Sequence, residues 1–195
     1  YVDFCRFKVN DSVSFVEIYL GIDANSVEFI NQKDGFQADV FASIQLKEED
    51  KITYFEKFEI KSPFSPTQEP AFDKFNFSKR IVTNNRKFTC ELTIKDQNGK
   101  DSAFTVDFEL NNEFKSNKIL FSDIQLLSSY EKSDVQNDFT KNGFLMNPLT
   151  SNFYPNSEKI LRYYLEIYNT DTDNHLGKDS AFVIFTTFRD KNGRK

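Results

Sequence analysis

Val16-Glu17-Ile18-Tyr19-Leu20, near the start of the chain, comes back near its end as Leu165-Glu166-Ile167-Tyr168-Asn169. Each copy lies in an alternation of residue types that marks a β-strand with one face turned to a core. Each is followed by a second such pattern: Ala38-Asp39-Val40-Phe41-Ala42 after the first, Ala181-Phe182-Val183-Ile184-Phe185 after the second. Two similar beginnings predict two similar β-domains, the second running out of sequence before it completes. That organisation belongs to a modular scaffold rather than to one catalytic body.

Around the first copy, residues 13–22 put Ser14, Val16, Ile18 and Leu20 on the core face. Glu17, between Phe15 and Tyr19, falls on the face expected to meet solvent. After the Lys33-Asp34-Gly35 turn, Phe36–Leu46 sends Ala38, Val40, Ala42, Ile44 and Leu46 inward and Asp39, Ser43 and Gln45 outward, a half-buried antiparallel strand. Further strands are predicted at Val2–Val9, Val27–Ile30, Ile52–Ile60, Phe72–Val82, Lys87–Lys95 and Ala103–Leu110. Residues 62–70 hold three of the five prolines and read as a loop.

About seven or eight short strands in a little over 100 residues fit an immunoglobulin-like antiparallel sandwich over residues 1–112. The polar stretch 111–118 reads as a linker, centred on 113–118. Residues 119–195 form a second β-domain, apparently incomplete, with strands expected in 119–127, Leu161–Asn169 and Ala181–Arg189. Residues 128–160 are too irregular to assign, although Phe139, Phe144, Leu145, Met146, Phe153 and Tyr154 predict packing. About three strands cannot cover both faces of a sheet. Residues 119–195 are therefore expected to pack on the first domain or to leave an apolar face for a partner.

A chain of 195 residues suits two sandwich domains of about 100 each. Only 38% of it is hydrophobic, but 23 Phe and 8 Tyr compensate, each able to bury about 150–250 Å². No run of 18 apolar residues exists to make a membrane-spanning helix. The net charge of −5 is spread over interleaved signs, with no basic stripe for nucleic acid. The chain starts at Tyr1 with no initiator Met, as expected either after removal of a leader peptide or for a chain cut at a domain boundary; a processed, exported protein is the leading expectation. Cys90 sits where an immunoglobulin domain keeps its sixth-strand cysteine, but Cys5 falls one strand too early for the usual bridge. Two buried free thiols are the expected outcome.

Catalytic and metal chemistry find little to work with. His175 is the single histidine. The surrounding Asp171-Thr172-Asp173-Asn174 lacks the glycine and terminal glutamate of a Ca²⁺ loop. There is no nucleophile elbow, no phosphate-binding glycine loop and no cysteine pair at zinc-ligand spacing. No catalytic, cofactor or metal residue is therefore assigned, and no cofactor is expected. Glu17 and Glu166, at matched positions, suit a cross-strand ion pair or an exposed face. Phe88 stands two residues before Cys90, where related sandwiches often keep a corner tyrosine, so packing must fix that corner. The tripeptides Asn10-Asp11-Ser12 and Asn76-Phe77-Ser78 are glycan acceptors only in a suitable host. The hexapeptide Gly99-Lys100-Asp101-Ser102-Ala103-Phe104 recurs at residues 177–182, out of register with the first repeat. It reads as recurring turn-plus-strand chemistry.

The early Phe15-Val16-Glu17-Ile18-Tyr19-Leu20 strand, Gly35-Phe36-Gln37-Ala38-Asp39-Val40, Phe77-Ser78-Lys79-Arg80-Ile81 and the Phe88–Asp96 strand together resemble the N-terminal region of GWxTD-domain proteins. So do Ile119-Leu120-Phe121-Ser122-Asp123-Ile124-Gln125-Leu126 and Tyr164-Leu165-Glu166-Ile167-Tyr168. That family is an uncharacterised exported bacterial one in which β-sandwich regions precede the naming motif. The Gly-Trp-x-Thr-Asp motif is absent here, and the chain has no Trp. The resemblance implies an N-terminal fragment, located in the periplasm, at the outer membrane or outside the cell, and carries over no functional residues. The leading expectation is a non-enzymatic scaffold or protein-interaction module, its partner another protein or a downstream domain of the same chain. The alternative is a carbohydrate-binding module whose exposed aromatics stack on sugar rings: Tyr54, Phe55, Phe64, Phe72, Tyr154 and Tyr163. A coplanar exposed row of them would favour it; scattered ones would count against it.

Overall fold

The computed structural model describes residues 1–114, 118–151, 153–154, 159–170, 181, 183–189 and 192–193. The described chain is an all-β, antiparallel sandwich with a third β layer packed on one side. One sheet is β1 (Val2–Lys8), β2 (Val13–Asp23) and β7 (Lys74–Asn84), in the order β1-β2-β7. The facing sheet runs β6-β5-β8-β9, built from β5 (Asp39–Glu48), β6 (Lys51–Lys61), β8 (Lys87–Asp96) and β9 (Phe104–Asn111). A small hairpin of β3 (Ile30–Gln32) and β4 (Gly35–Gln37) precedes β5.

The core follows from period-two alternation. Val16, Ile18 and Leu20 of β2 face Val40, Ala42, Ile44 and Leu46 of β5, and Cys90 and Leu92 of β8 close the layer. Two aromatic pairs seal opposite edges of the sandwich. Phe4 of β1 stacks on Phe108 of β9, and Phe58 of β6 on Phe77 of β7, each with ring centroids 5.0 Å apart. Phe88 is buried in the same core, so packing holds the corner that lacks its tyrosine.

Two elements depart from expectation at Val27–Leu46. Val27 ends a single 3₁₀ turn (Ala24–Ser26), and the strand starts only at Ile30. The long Phe36–Leu46 strand is interrupted at Ala38, where Ser62 takes up both backbone groups: the Ala38 N–H donates to Ser62 Oγ at 3.0 Å, and the Ser62 N–H donates to the Ala38 carbonyl. The proline-rich loop is pinned by a bridge between Phe36 and Ser65.

The third layer comes from the C-terminal part. β10 (Leu120–Phe121) pairs with β15 (Ile167–Tyr168). β11 (Gln125–Lys132) lies between β13 (Phe144–Pro148) and β14 (Arg162–Tyr164), with β12 (Thr140–Lys141) on the far side of β13. The stretch 128–160, whose sequence pattern assigns no element, contributes to a four-stranded sheet, in line with the packing its aromatics predict. Its turn is Asn142-Gly143, both at positive φ (50° and 77°), joining Lys141 to its partner Phe144 by a two-residue loop. The start of the polar stretch 111–118 is not a solvated tether. Asn112 is fully buried and donates to Thr83 Oγ1 at 2.9 Å, and the Phe114 ring packs edge-on against Tyr168.

Among the described residues, the strand expected at Ala181–Arg189 does not form. Ala181 and 183–189 lie outside any strand, and no described residue makes a ladder with them. Alternation supplies a strand's side chains, but only pairing with a neighbour makes the strand. His175 with Asp171–Asp173, and the second hexapeptide apart from Ala181, fall outside the described residues.

Candidate functional site

The centre of the junction between sandwich and third layer is Glu17, and it corrects the expectation that this residue faces solvent. Its side chain is 0% exposed. β2 is buried on both faces, by the sandwich core on one side and by Lys141, Thr150 and Tyr164 on the other. The cross-strand ion pair expected from its position is present. Arg80, its register partner on β7, reaches Glu17 Oε1 with Nε at 2.9 Å and Nη2 at 2.6 Å. Lys141 of β12 pairs with Glu17 Oε2, and the Tyr19 hydroxyl donates to the same oxygen.

Lys141 is itself almost sealed, with 5% of its side chain exposed. Its Nζ also donates to Gln125 Oε1 at 2.6 Å and to the Tyr19 hydroxyl at 3.2 Å. Three rings surround the ammonium: Phe7 at 4.2 Å from the centroid, Tyr164 at 5.2 Å and Tyr19 at 5.8 Å. Burial pulls the Lys141 pKa below the usual lysine range, against the opposing pull of Glu17. Burial, reinforced by Glu17, pushes the Tyr19 phenol far up, and burial does the same to the neighbouring Cys5 thiol.

The two copies of the repeat meet at this junction. Residues two apart on a strand share a face, so a tyrosine reaches the carboxylate at i±2. Tyr19 serves Glu17 in the first copy; in the second, Tyr164 and Tyr168 donate to Glu166 at 2.5 and 2.7 Å. Tyr164 leans on Phe7 of β1, and the Lys8 backbone N–H donates to the Tyr168 hydroxyl at 3.0 Å. Around this centre, Arg6 forms a two-pronged pair with Asp123, with Nε and Nη2 each 2.7 Å from a carboxylate oxygen. At the far end Thr150 donates to Asn76 Oδ1 at 2.7 Å. A Cβ placed on Gly21 would come within 2.7 Å of the Thr150 side chain, so the glycine is what lets the layers approach there.

The opposite face of the third layer is apolar and open. Register puts Phe121 beside Ile167 and Leu126 beside Tyr163, away from the sandwich. These residues line a cleft of about 610 Å³, whose other wall is Val183–Phe188. Phe121, Ile124, Val183 and Phe185 are all more than half exposed. Both alternatives expected for residues 119–195 thus occur together: one face packs on the sandwich, the other is left apolar.

The six aromatics proposed for sugar stacking do not converge. Tyr54 packs on the sandwich core with its hydroxyl on Glu56, while Phe55, on the opposite face of β6, lies exposed beneath Lys57. Phe64 is exposed in the proline-rich loop, and Phe72 is wedged edge-on between Phe29 and Phe75. The Tyr154 hydroxyl donates to the Ile160 carbonyl and accepts from the Arg162 N–H. Tyr163 faces the apolar cleft, its hydroxyl 2.8 Å from Thr186 Oγ1.

Cys5 and Cys90 are free and buried. Cys90 lies in the sandwich core and Cys5 on the junction side of the other sheet, which accounts for their failure to pair. Asn10 and Asn76, the candidate glycan acceptors, use Oδ1 as an acceptor, Asn10 capping its own turn and Asn76 holding Thr150. Among the described residues no group of acidic, histidine or cysteine side chains is arranged to hold a metal, and no helix is long and apolar enough to cross a membrane. Sequence reasoning missed Lys141, Arg80 and Gln125. The available signal was the outer face of β2, where Val13, Phe15, Tyr19 and Gly21 surround one glutamate, a composition unlike a solvated face. No protein-family model matches this chain, and no curated protein is significantly similar to it.

Proposed function

We propose that the chain is a non-catalytic β-sandwich module, of immunoglobulin-like type, that acts as a scaffold and protein-interaction domain outside the cytoplasm. The observation that carries this reading is the open apolar face of the third layer around Phe121, Ile124 and Leu126. Contiguous apolar surface of this kind on a β layer marks a protein-interaction site. The strand order β1-β2-β7 against β6-β5-β8-β9 supports the immunoglobulin-like assignment. The resemblance to the N-terminal region of GWxTD-domain proteins supports export to the periplasm, outer membrane or exterior. The partner is another protein or a downstream domain of the same chain. The carbohydrate alternative has no comparable support, because the six candidate aromatics do not share a platform.

The test is site-specific photo-crosslinking in cells of the native host. A photoreactive phenylalanine replaces Phe121 or Ile124 and, as controls, the exposed Asp50 or Ser129. The interaction reading expects a discrete protein adduct, or an intramolecular one to downstream sequence, from 121 and 124 only. Equal adducts from all four positions, or none from any, would remove it. Specific binding on a glycan array would instead favour the carbohydrate reading.

A further inference from the structure

We propose that Glu17, Tyr19 and Gln125, walled by Phe7 and Tyr164, form a binding socket for a primary ammonium group, with Lys141 as its resident ligand. The donor count carries the argument. A primary ammonium has three N–H donors and accepts nothing. The socket offers three acceptors: Glu17 Oε2, Gln125 Oε1 and the Tyr19 hydroxyl. Tyr19 can accept because its own proton goes to Glu17. The rings of Phe7, Tyr19 and Tyr164 flank the ammonium between these acceptors, at 4.2, 5.8 and 5.2 Å from their centroids. A planar guanidinium, with five donors in a fork, does not match three convergent acceptors inside an aromatic wall.

The acceptors come from both layers. Glu17 and Tyr19 belong to β2 of the sandwich, and Gln125 belongs to β11 of the third layer. Lys141 therefore stitches the layers through the socket, and the ammonium is a requirement for their docking. Gln125 and Glu17 are both buried, so an empty socket leaves Gln125 Oε1 without its donor and Glu17 Oε2 with the Tyr19 hydroxyl alone. Arg80 continues to compensate Glu17 from the rim, which leaves the sandwich itself intact.

Chemical rescue of a Lys141→Ala chain tests this directly. Spin labels at Asp50→Cys and Ser129→Cys report the inter-layer distance, and hydrogen exchange reports each layer separately. The parent chain is expected to give a narrow distance distribution. In Lys141→Ala the distribution broadens, and exchange of the β12 and β13 amides rises at least about tenfold, while the β5 and β8 amides keep their protection. n-Propylammonium, which reproduces the atoms missing beyond the alanine Cβ, restores the narrow distribution; n-propanol and tetramethylammonium do not. The proposal is overturned if Lys141→Ala stays closed, if propanol rescues as well as propylammonium, or if propylammonium fails to rescue. It is equally overturned if the β5 and β8 amides lose protection too, because Lys141 would then be holding up the whole fold.

Discussion

The inner face of β5 and the outer face of the third layer are composed alike, of branched and aromatic side chains, yet they meet different fates. Val40, Ala42, Ile44 and Leu46 are sealed by a facing sheet, whereas Phe121, Ile124 and Leu126 have, among the described residues, the Val183–Phe188 segment opposite them. The difference lies in pairing. The sandwich closes because every apolar face finds a hydrogen-bonded layer to cover it. The third layer spends its one covered face on the junction with β2, through charge and rings as much as through aliphatic contact. An apolar alternation thus fixes which side chains face together, and topology alone decides whether anything covers them.

The sharpest way to break this comparison is to remove the carboxylate that joins the two regions. Glu17→Ala leaves Arg80 able to solvate itself, but leaves Lys141 as a sealed ammonium without a counter-charge. A loss of about 3–5 kcal/mol in urea unfolding is expected. A loss under about 1 kcal/mol would mean that the junction contributes little to stability. Next comes the contrast between matched leucines. Leu92→Ala, in the closed core, should cost about 2–5 kcal/mol. Leu126→Ala, on the open face, should stay within about 0.5 kcal/mol. Equal costs would show that the third layer's outer face is covered in solution.

Alkaline pH gives a graded test of the same buried groups. Burial raises the pKa of Cys5 and Tyr19 above their ordinary 9.0 and 10.0, and pushes Cys90 up to about 12. A raised group contributes its full stability below its unfolded value and loses it as pH climbs toward the folded one. The unfolded chain therefore gains by ionising first, and stability should fall progressively above pH 9.0. Lys141, whose pKa is lowered, acts in the opposite sense below 10.5, one group against three. A urea midpoint that stays flat to about pH 11 would contradict the burial of these groups. A modest effect is expected at the partly buried Arg6–Asp123 pair, whose side chains are each less than a third exposed. Arg6→Gln should cost about 1 kcal/mol or less, shrinking at high salt, as read from midpoints at two ionic strengths.

The sandwich was legible because its strands alternate cleanly and are bounded by turns, as at Phe36–Leu46 and Lys87–Lys95. The third layer was harder to see for two physical reasons. Its hairpin announces itself only through Asn142-Gly143, a two-residue turn whose positive φ values suit those residue types, inside a stretch otherwise dominated by polar side chains. Its partner face on β2 resembles a solvent face for as long as Glu17 is taken as a lone charge. The ion pair with Arg80 follows from strand register, but Lys141 arrives from more than 100 residues away, and no local pattern encodes that. Ala181–Arg189 failed in the other direction, since side-chain alternation cannot supply a neighbouring strand.

The close approach at Gly21 gives the junction a size threshold of a single methyl group. A Cβ there meets the Thr150 side chain at 2.7 Å, while no unusual backbone conformation demands glycine at that position. Alanine would act as a wedge of known thickness, prying at one end of the interlayer seam while every charge stays in place. Volume and electrostatics can therefore be varied independently at two places along β2. The fit of the layers is set at one end by how little room there is, and at its centre by which atom carries the charge.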